Sequence, residues 1–558
     1  MENESTCKFS LIHDQWIMVS TLEGLTTEVS TIDIFENGAK YKALAGELRT
    51  QDFSMLRFLL AILHGALGGR DIDGNPFPNE PEKQTNGAIE LWNNLWRNGL
   101  PVERIRAYLD SFSDRFYLFH PLLPFYQIAN LENGTEYSAA KLNSEVGESG
   151  NKSRIFSQRF AFGKPSLSFA EAARWLIHTM MFDDASNKPT QKKGLPSSGV
   201  GWLGQLGLIS AVGDTLLQTL LLNLIFLPDG NNRPWEQGKA IWEISPRTEE
   251  RVQITPPDSQ VALLTHQSRR IRLFREGNVV TGYRLQGGDF FRKENCFTEQ
   301  FTVWKNISTN ESKQPVFVPR KHSLAVQMWR DFSPLVEQSN QKKMPGIIAW
   351  LKRLHPIPDY PVLRFQITGI LYGDKNSSID DIIYDSLAFN AGLLAELDKH
   401  ETGWVRRIID ELVFTRMLVD EVATLAENVV KADGKNAGND PQRKESVKAA
   451  KADAESQAYY RLDQPFRKWL EALDPSIDDP TGEIMEEECE KWWRNSQSIV
   501  HSLGQEIVEK CSPQAYIGSS ETLRKRGCKP VPEAYSIFMR NTKRRNSLRG
   551  GKRIGRAT

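Results

Sequence analysis

The hydrophobic period of this chain changes at Asp380, and that change constrains the fold more than any other feature of the sequence. Beyond it, apolar residues recur at helical spacing: Leu418, Val422, Leu425 and Val429, then Cys489, Trp492, Ile499, Leu503 and Ile507. A third helix is expected from Ser446 to Leu473 and a shorter last one from Val531 to Lys543, with a polar linker over Lys431 to Glu445. Amphipathic helices joined by polar connections bury their stripes against one another, which predicts a four-helix bundle.

Before Asp380 the pattern is mixed. Phe9 to Val19 and Thr27 to Phe35 read as extended, consistent with a small sheet. A helix then begins near Thr50, a candidate cap, with Asp52 in its first turn and Leu56, Leu59, Leu60 and Leu63 on one face. More helix is expected from Ala88 to Phe112, a long polar loop from Asn130 to Arg154, and a helix from Ser168 to Phe182. Ser168 and Glu171 make a capping box for the last of these. The apolar run Leu203 to Leu227 contains Gln205, Asp214, Gln218 and Asn223, so a buried helix fits it better than a membrane span. From Val252 to Val318 the pattern is strand-like. Arg270 and Arg272 alternate with Ile271 and Leu273, and Gly282, Gly287 and Gly288 are expected at turns. A length of 558 residues exceeds what one core usually supports. The expected fold class is α+β: a large mixed α/β N-terminal domain over 1–380, an all-α four-helix bundle over 381–545, and a basic disordered tail over 546–558.

The chain carries 70 lysines and arginines against 70 acids, so it has no overall attraction for nucleic acid; a local basic surface remains open. The five cysteines form no C-x-x-C pair, which fits a reducing cytosol and argues against a zinc knuckle. No signal peptide is evident at the start, and a soluble cytoplasmic protein is expected.

Signatures of catalysis are missing: there is no phosphate-binding G-x-x-x-x-G-K-[ST], no H-E-x-x-H and no G-x-S-x-G. Asp71, Asp73, Asn75 and Glu82 have calcium-loop spacing, but Pro76 stands where the loop needs glycine, which favours an acidic surface turn. Hydrolysis through His120 or the Asp71/Asp73 pair is a competing reading, as is a scaffold that binds only protein. The stretch Lys192 to Trp202 is rich in glycine and serine. It has the composition of a loop whose backbone approaches a ligand, although a plain connector between two helices is the commoner origin of such a stretch.

Several stretches together resemble the CasA family, the large subunit of the type I-E CRISPR surveillance complex Cascade. They are Phe9 to Ile17, Leu44-Ala-Gly-Glu-Leu-Arg-Thr-Gln-Asp52, Leu56 to Leu63, His120-Pro-Leu-Leu-Pro-Phe-Tyr-Gln127 and Ala170-Glu-Ala-Ala-Arg-Trp-Leu176. Gly201-Trp-Leu-Gly-Gln-Leu-Gly207, Leu217 to Ile225, Leu264 to Leu273 and Gln464-Pro-Phe-Arg-Lys-Trp-Leu470 follow in the same order. The resemblance implies a non-catalytic subunit without metal or cofactor. It would read a short PAM in double-stranded target DNA, grip the guide RNA, join the other Cascade subunits and recruit the helicase–nuclease. Its PAM reader would combine the glycine loop (Gly194, Ser197, Ser198, Gly199, Gly201), a lysine finger at Lys293 or neighbouring Arg292, and a wedge at Gly373 to Ser377. Lys375 and Asn376 lie in that wedge, with Asn376 where some members have glutamine. Guide RNA would be met by Phe156 with Arg154 and Arg159, an aromatic face flanked by arginines.

Overall fold

The computed structural model describes residues 7–142, 166–186, 188, 194–228, 235, 238–308, 314–337, 343–398, 403–433, 441–477, 479, 481–517 and 529–543. The chain divides into two compact units, 1–357 with 363–387 and 358–362 with 388–558. The tail over 546–558 lies outside the described residues.

The first unit opens with a three-stranded antiparallel sheet, Ile17–Thr21 between Thr26–Val29 and Tyr41–Leu44. The extended reading of Thr27 to Phe35 holds only to Val29. Ser30 then accepts the Asp33 N–H and caps a helix, Thr31–Asn37. Helix α1 (Arg49–Leu67) is buried almost all round rather than on one face. Thr50 is not its cap but meets His178 at 3.0 Å, while the Asp52 carboxylate accepts the Gly46 N–H at 2.7 Å. Arg57 is tolerated inside because Glu299 pairs with it at 2.9 Å and also accepts Trp202 Nε1 at 2.8 Å. The helix expected over Ala88 to Phe112 is two helices, Pro81–Asn98 and Val102–Asp110, parted by Gly99 at φ 85° and by Pro101. The polar stretch after Asn130 holds a strand, Thr135–Ser138, and a helical turn, Ala139–Leu142.

Helix α2 (Phe169–Phe182) carries the expected capping box, and its last N–H bond runs from Asp183 to Thr179. Leu203 to Leu227 is not one helix. Strand β1 (Leu208–Val212) and helix Leu216–Leu222 divide it, because the Asn223 amide bonds both backbone groups of Ala211 and the Thr219 hydroxyl accepts the Gly213 N–H. Strands β2 (Arg269–Glu276) and β3 (Val279–Gly287) form a hairpin whose turn is at Gly277, φ 58°, not at Gly282, Gly287 or Gly288. Gly282 instead sits at a register irregularity within β3. Ile271 and Leu273 are buried as their alternation predicts; Arg270 is buried too, paired with Asp289 at 2.7 Å.

Strands β4 (Val362–Tyr372) and β5 (Ile379–Asn390) complete a sheet of order β5-β4-β1. The helical character expected from Asp380 therefore begins only after Asn390. Ile379, Ile383 and Leu387 are four residues apart, a spacing that satisfies strand and helix periods alike.

The second unit contains α3 (Trp404–Asp433), α4 (Pro441–Ala472), α5 (Glu483–Glu509) and α6 (Val531–Thr542). Helices α3 and α4 run into the expected linker from both sides. Leu418, Val422, Leu425 and Val429 are buried as predicted. On α5 the seam uses Cys489, Trp492, Val500 and Leu503, while Ile499 and Ile507 are only partly covered. Trp492 donates to Thr415 Oγ1 at 2.9 Å and packs on Phe466 and Trp469.

Candidate nucleic-acid interface

Asp183, Asp184 and Ala185 follow directly on helix α2, and two of the candidate segments fasten to this short, largely covered strip. The glycine loop returns to it through the Gly201 N–H, which donates to Asp183 O at 2.8 Å. Gly201 is obligatory there: a Cβ would press into the Met181 and Phe182 backbone. The tip of the β4–β5 hairpin reaches the same strip, because the Ala185 N–H donates to Asn376 O at 2.8 Å. The hydroxyl of Tyr372, at the end of β4, donates to Phe182 O at 2.5 Å.

The loop's carbonyls are held from beneath. Arg251 donates to Pro196 O and lies over the Phe290 ring, 4.3 Å from its centroid; Arg269 donates to Gly199 O at 2.7 Å. Gly194 adopts φ 95°, which favours glycine. Gly194, Ser197 and Gly199 are exposed, whereas Ser198 is buried facing Gly287, its Oγ without a hydrogen-bond partner among the described residues. The exposed hydroxyl of the loop is therefore that of Ser197.

At the hairpin tip Lys375 and Asn376 both take left-handed conformations, φ 52° and 56°, and both are exposed. Gly373 closes the turn by accepting the Asn376 N–H and donating to Ser378 O.

Lys293 is exposed, as is Arg292, and the segment is anchored by Phe291, whose ring packs 4.5 Å from that of Trp202 at the end of the glycine loop. Beside it stands Lys321, a residue the sequence reading passed over. Its ammonium lies over the Tyr372 ring at 5.1 Å. Desolvation, with the Lys293 charge adding, holds its pKa below the usual lysine value. The available signal was the basic triplet Arg320-Lys321-His322. Arg320 pairs with Asp331 at 3.0 Å and His322 Nε2 bonds Leu208 O at 2.9 Å, and Lys321 has no ion pair among the described residues. Arg251, Arg269 and Tyr372 were likewise missed, since their partners are distant in sequence.

Arg154, Phe156 and Arg159 lie outside the described residues. Asp71 accepts the backbone N–H and the side-chain amide of Asn75, at 2.8 and 3.2 Å, so its oxygens close a turn. His120 Nδ1 accepts the N–H groups of Leu122 and Leu123, also a turn contact. Among the described residues there is no cluster of three or more metal-ligating side chains, and no helix is long and apolar enough to cross a membrane.

The family model for the CRISPR-associated protein Cse1 matches residues 10–502. This chain belongs to the CasA/Cse1 family. The CasA/Cse1 protein of Thermus thermophilus is 25% identical over 481 residues, which is 84% of this chain and 88% of that protein. The crystal structure of Thermobifida fusca Cse1 matches with a TM-score of 0.79 at 28% identity, covering 96% of this chain and 98% of the other. A chain of a CRISPR RNA-guided surveillance complex shares the Cse1 fold at 15% identity, with a TM-score of 0.67 over 96% of this chain and 100% of its own.

Proposed function

We propose that this Cse1 chain is the large, non-catalytic subunit of a Cascade-type RNA-guided complex, and that it reads the PAM of duplex target DNA. The observation that carries the reading is the meeting of the glycine loop and the hairpin tip on Asp183 to Ala185, with Lys293 and Lys321 beside them. The minor groove presents few and degenerate donors and acceptors, so a reader there needs shape as well as hydrogen bonds. The lysine amine of Lys293 reaches base-edge acceptors, the loop backbone with Ser197 tracks one strand, and the tip at Lys375 and Asn376 enters the first base step as a wedge. Lys321 supplies a phosphate contact. The guide RNA is gripped by Phe156 with Arg154 and Arg159, and the assembled complex hands opened DNA to the helicase–nuclease.

Lys293→Ala is expected to lower PAM-dependent duplex binding while leaving assembly with the guide and the other subunits intact. Asn376→Ala is expected to slow duplex opening, a defect that a pre-melted bubble rescues; Lys293→Ala is rescued only in part. Equal defects of the two variants on both substrates would refute the assigned roles. Phe156→Ala should weaken incorporation into the guide-bound complex by about 1–3 kcal/mol, the worth of one stacked base.

A further inference from the structure

Arg269 opens strand β2 and is buried at 2% exposure. Its Nε donates to the Asp183 carboxylate, and its Nη2 donates to Asp184 O at 2.9 Å and to Gly199 O at 2.7 Å. Nη1 donates to Ser268 O at 2.8 Å. One planar group thus holds the glycine loop at Gly199 and the strip at Asp183 and Asp184, to which the hairpin tip is bonded through Ala185. Lys188 reinforces the strip from within, pairing with Asp183 at 2.9 Å and Asp184 at 3.2 Å. Burial alone would raise the Asp184 pKa; the charges of Lys188 and Lys141 and hydrogen bonds from Ser186 outweigh it and keep the carboxyl below its ordinary value.

The geometry suits arginine alone. A guanidinium presents five donors in a fixed fork and stays charged when desolvated, whereas an ammonium is a single point that cannot reach acceptors on opposite sides at once. Loop and tip share no direct bond among the described residues; each is fixed to the strip, and Arg269 fixes the strip to the loop.

We propose that Arg269 is a positioning residue that makes the glycine loop and the hairpin tip one rigid reader, coupling PAM docking to strand separation. This rests on the reading of the site as the PAM reader. Two readouts keep the two ideas separable. In hydrogen exchange on the full-length chain without DNA, Arg269→Lys keeps the charge and removes the fork. Exchange should rise in residues 194–201 and 373–377 together. In the assembled complex the same variant should lose about tenfold in preference for PAM over non-PAM duplex, within the usual range of coupling between sites. Binding to non-PAM duplex should stay unchanged. Should Arg269→Lys fail to fold, Asp183→Asn, which removes the carboxylate that orients the fork, is expected to loosen both segments in the same way. A rise in one segment only, or in neither, overturns the coupling. Normal PAM preference in Arg269→Lys beside a loss in Lys293→Ala overturns it too, while sparing the PAM site. Normal preference in Lys293→Ala removes the PAM reading itself, and the coupling with it.

Discussion

The first unit buries Arg57, Arg174, Arg269 and Arg270 at 3% exposure or less, each against a carboxylate, whereas the ion pairs Arg407–Glu486 and Arg461–Glu506 of the helical unit lie at its surface. The contrast follows from backbone chemistry. A helix satisfies its own N–H and C=O groups, so its neighbours need offer only apolar stripes. The first unit joins its helices and strands by long irregular connections whose carbonyls need outside donors. Guanidinium groups fill that need: Arg270 bonds the carbonyls of Thr248 and Glu250, Arg115 those of Ile241 and Ile244, and Arg104 those of Ala66 and Asp71. Buried charge in this unit therefore serves loop geometry, and the candidate interface is built from such loops.

Glu299→Ala should break this contrast most severely. It strands the buried Arg57 charge and removes the acceptor of Trp202, so a loss of about 3–5 kcal/mol is expected, read from the urea midpoint of the first unit. In the helical unit the equivalent damage is a cavity. Leu418→Ala should cost about 2–5 kcal/mol there and leave the first unit's transition in place. A fragment of residues 391–545, which leaves β5 with its sheet, should be helical and melt cooperatively; a disordered fragment would show that the helices depend on the rest of the chain.

Acid should separate the units by a smaller margin. Burial pushes the pKa of His64 and His178 down to about 3 and that of His266 to about 4. Unfolded, these imidazoles take up protons below about 6.5, so the stability they contribute is present above that pH and lost as pH falls. The expected slope is about 1.4 kcal/mol per pH unit for each histidine. Asp52 acts oppositely: burial lifts its carboxyl to about 7, so its contribution is full below about 4 and disappears as pH rises through 7. His178→Gln should flatten the acid limb measured between pH 6 and 4, and an unchanged limb would mean that His178 is protonated in the folded state. The smallest effect belongs to Glu506→Gln. It removes one surface pair from α5 and should leave the midpoint of the helical unit where it was.

The family, the mixed first region and the helical second region were legible in the sequence because each rests on local pattern or ordered motifs. The Ser168–Glu171 capping box and the Leu418 to Val429 stripe were likewise readable, since each pattern lies within a few turns of one helix. Two misreadings have a common cause. Leu203 to Leu227 looked like one helix because a mostly apolar run shows no clear period, and long-range packing chose the strand at Leu208–Val212. The start of the helical region was set ten residues early because Ile379, Ile383 and Leu387 fit both periods.

What the sequence determined by itself is an inventory: the Leu418 to Val429 stripe, the Ser168 cap, and the presence of a glycine-rich loop, a lysine at 293 and a turn after an apolar strand. Tertiary structure alone decided that they meet. Arg269 and Asp183 are 86 residues apart, and Tyr372 and Phe182 are 190 apart. Local periodicity says which face of an element is buried, but not what is buried against it. That Arg269 is sealed under the loop, that Lys321 stands beside Lys293, and that Ser198 turns inward while Ser197 faces solvent are outcomes of packing between distant segments.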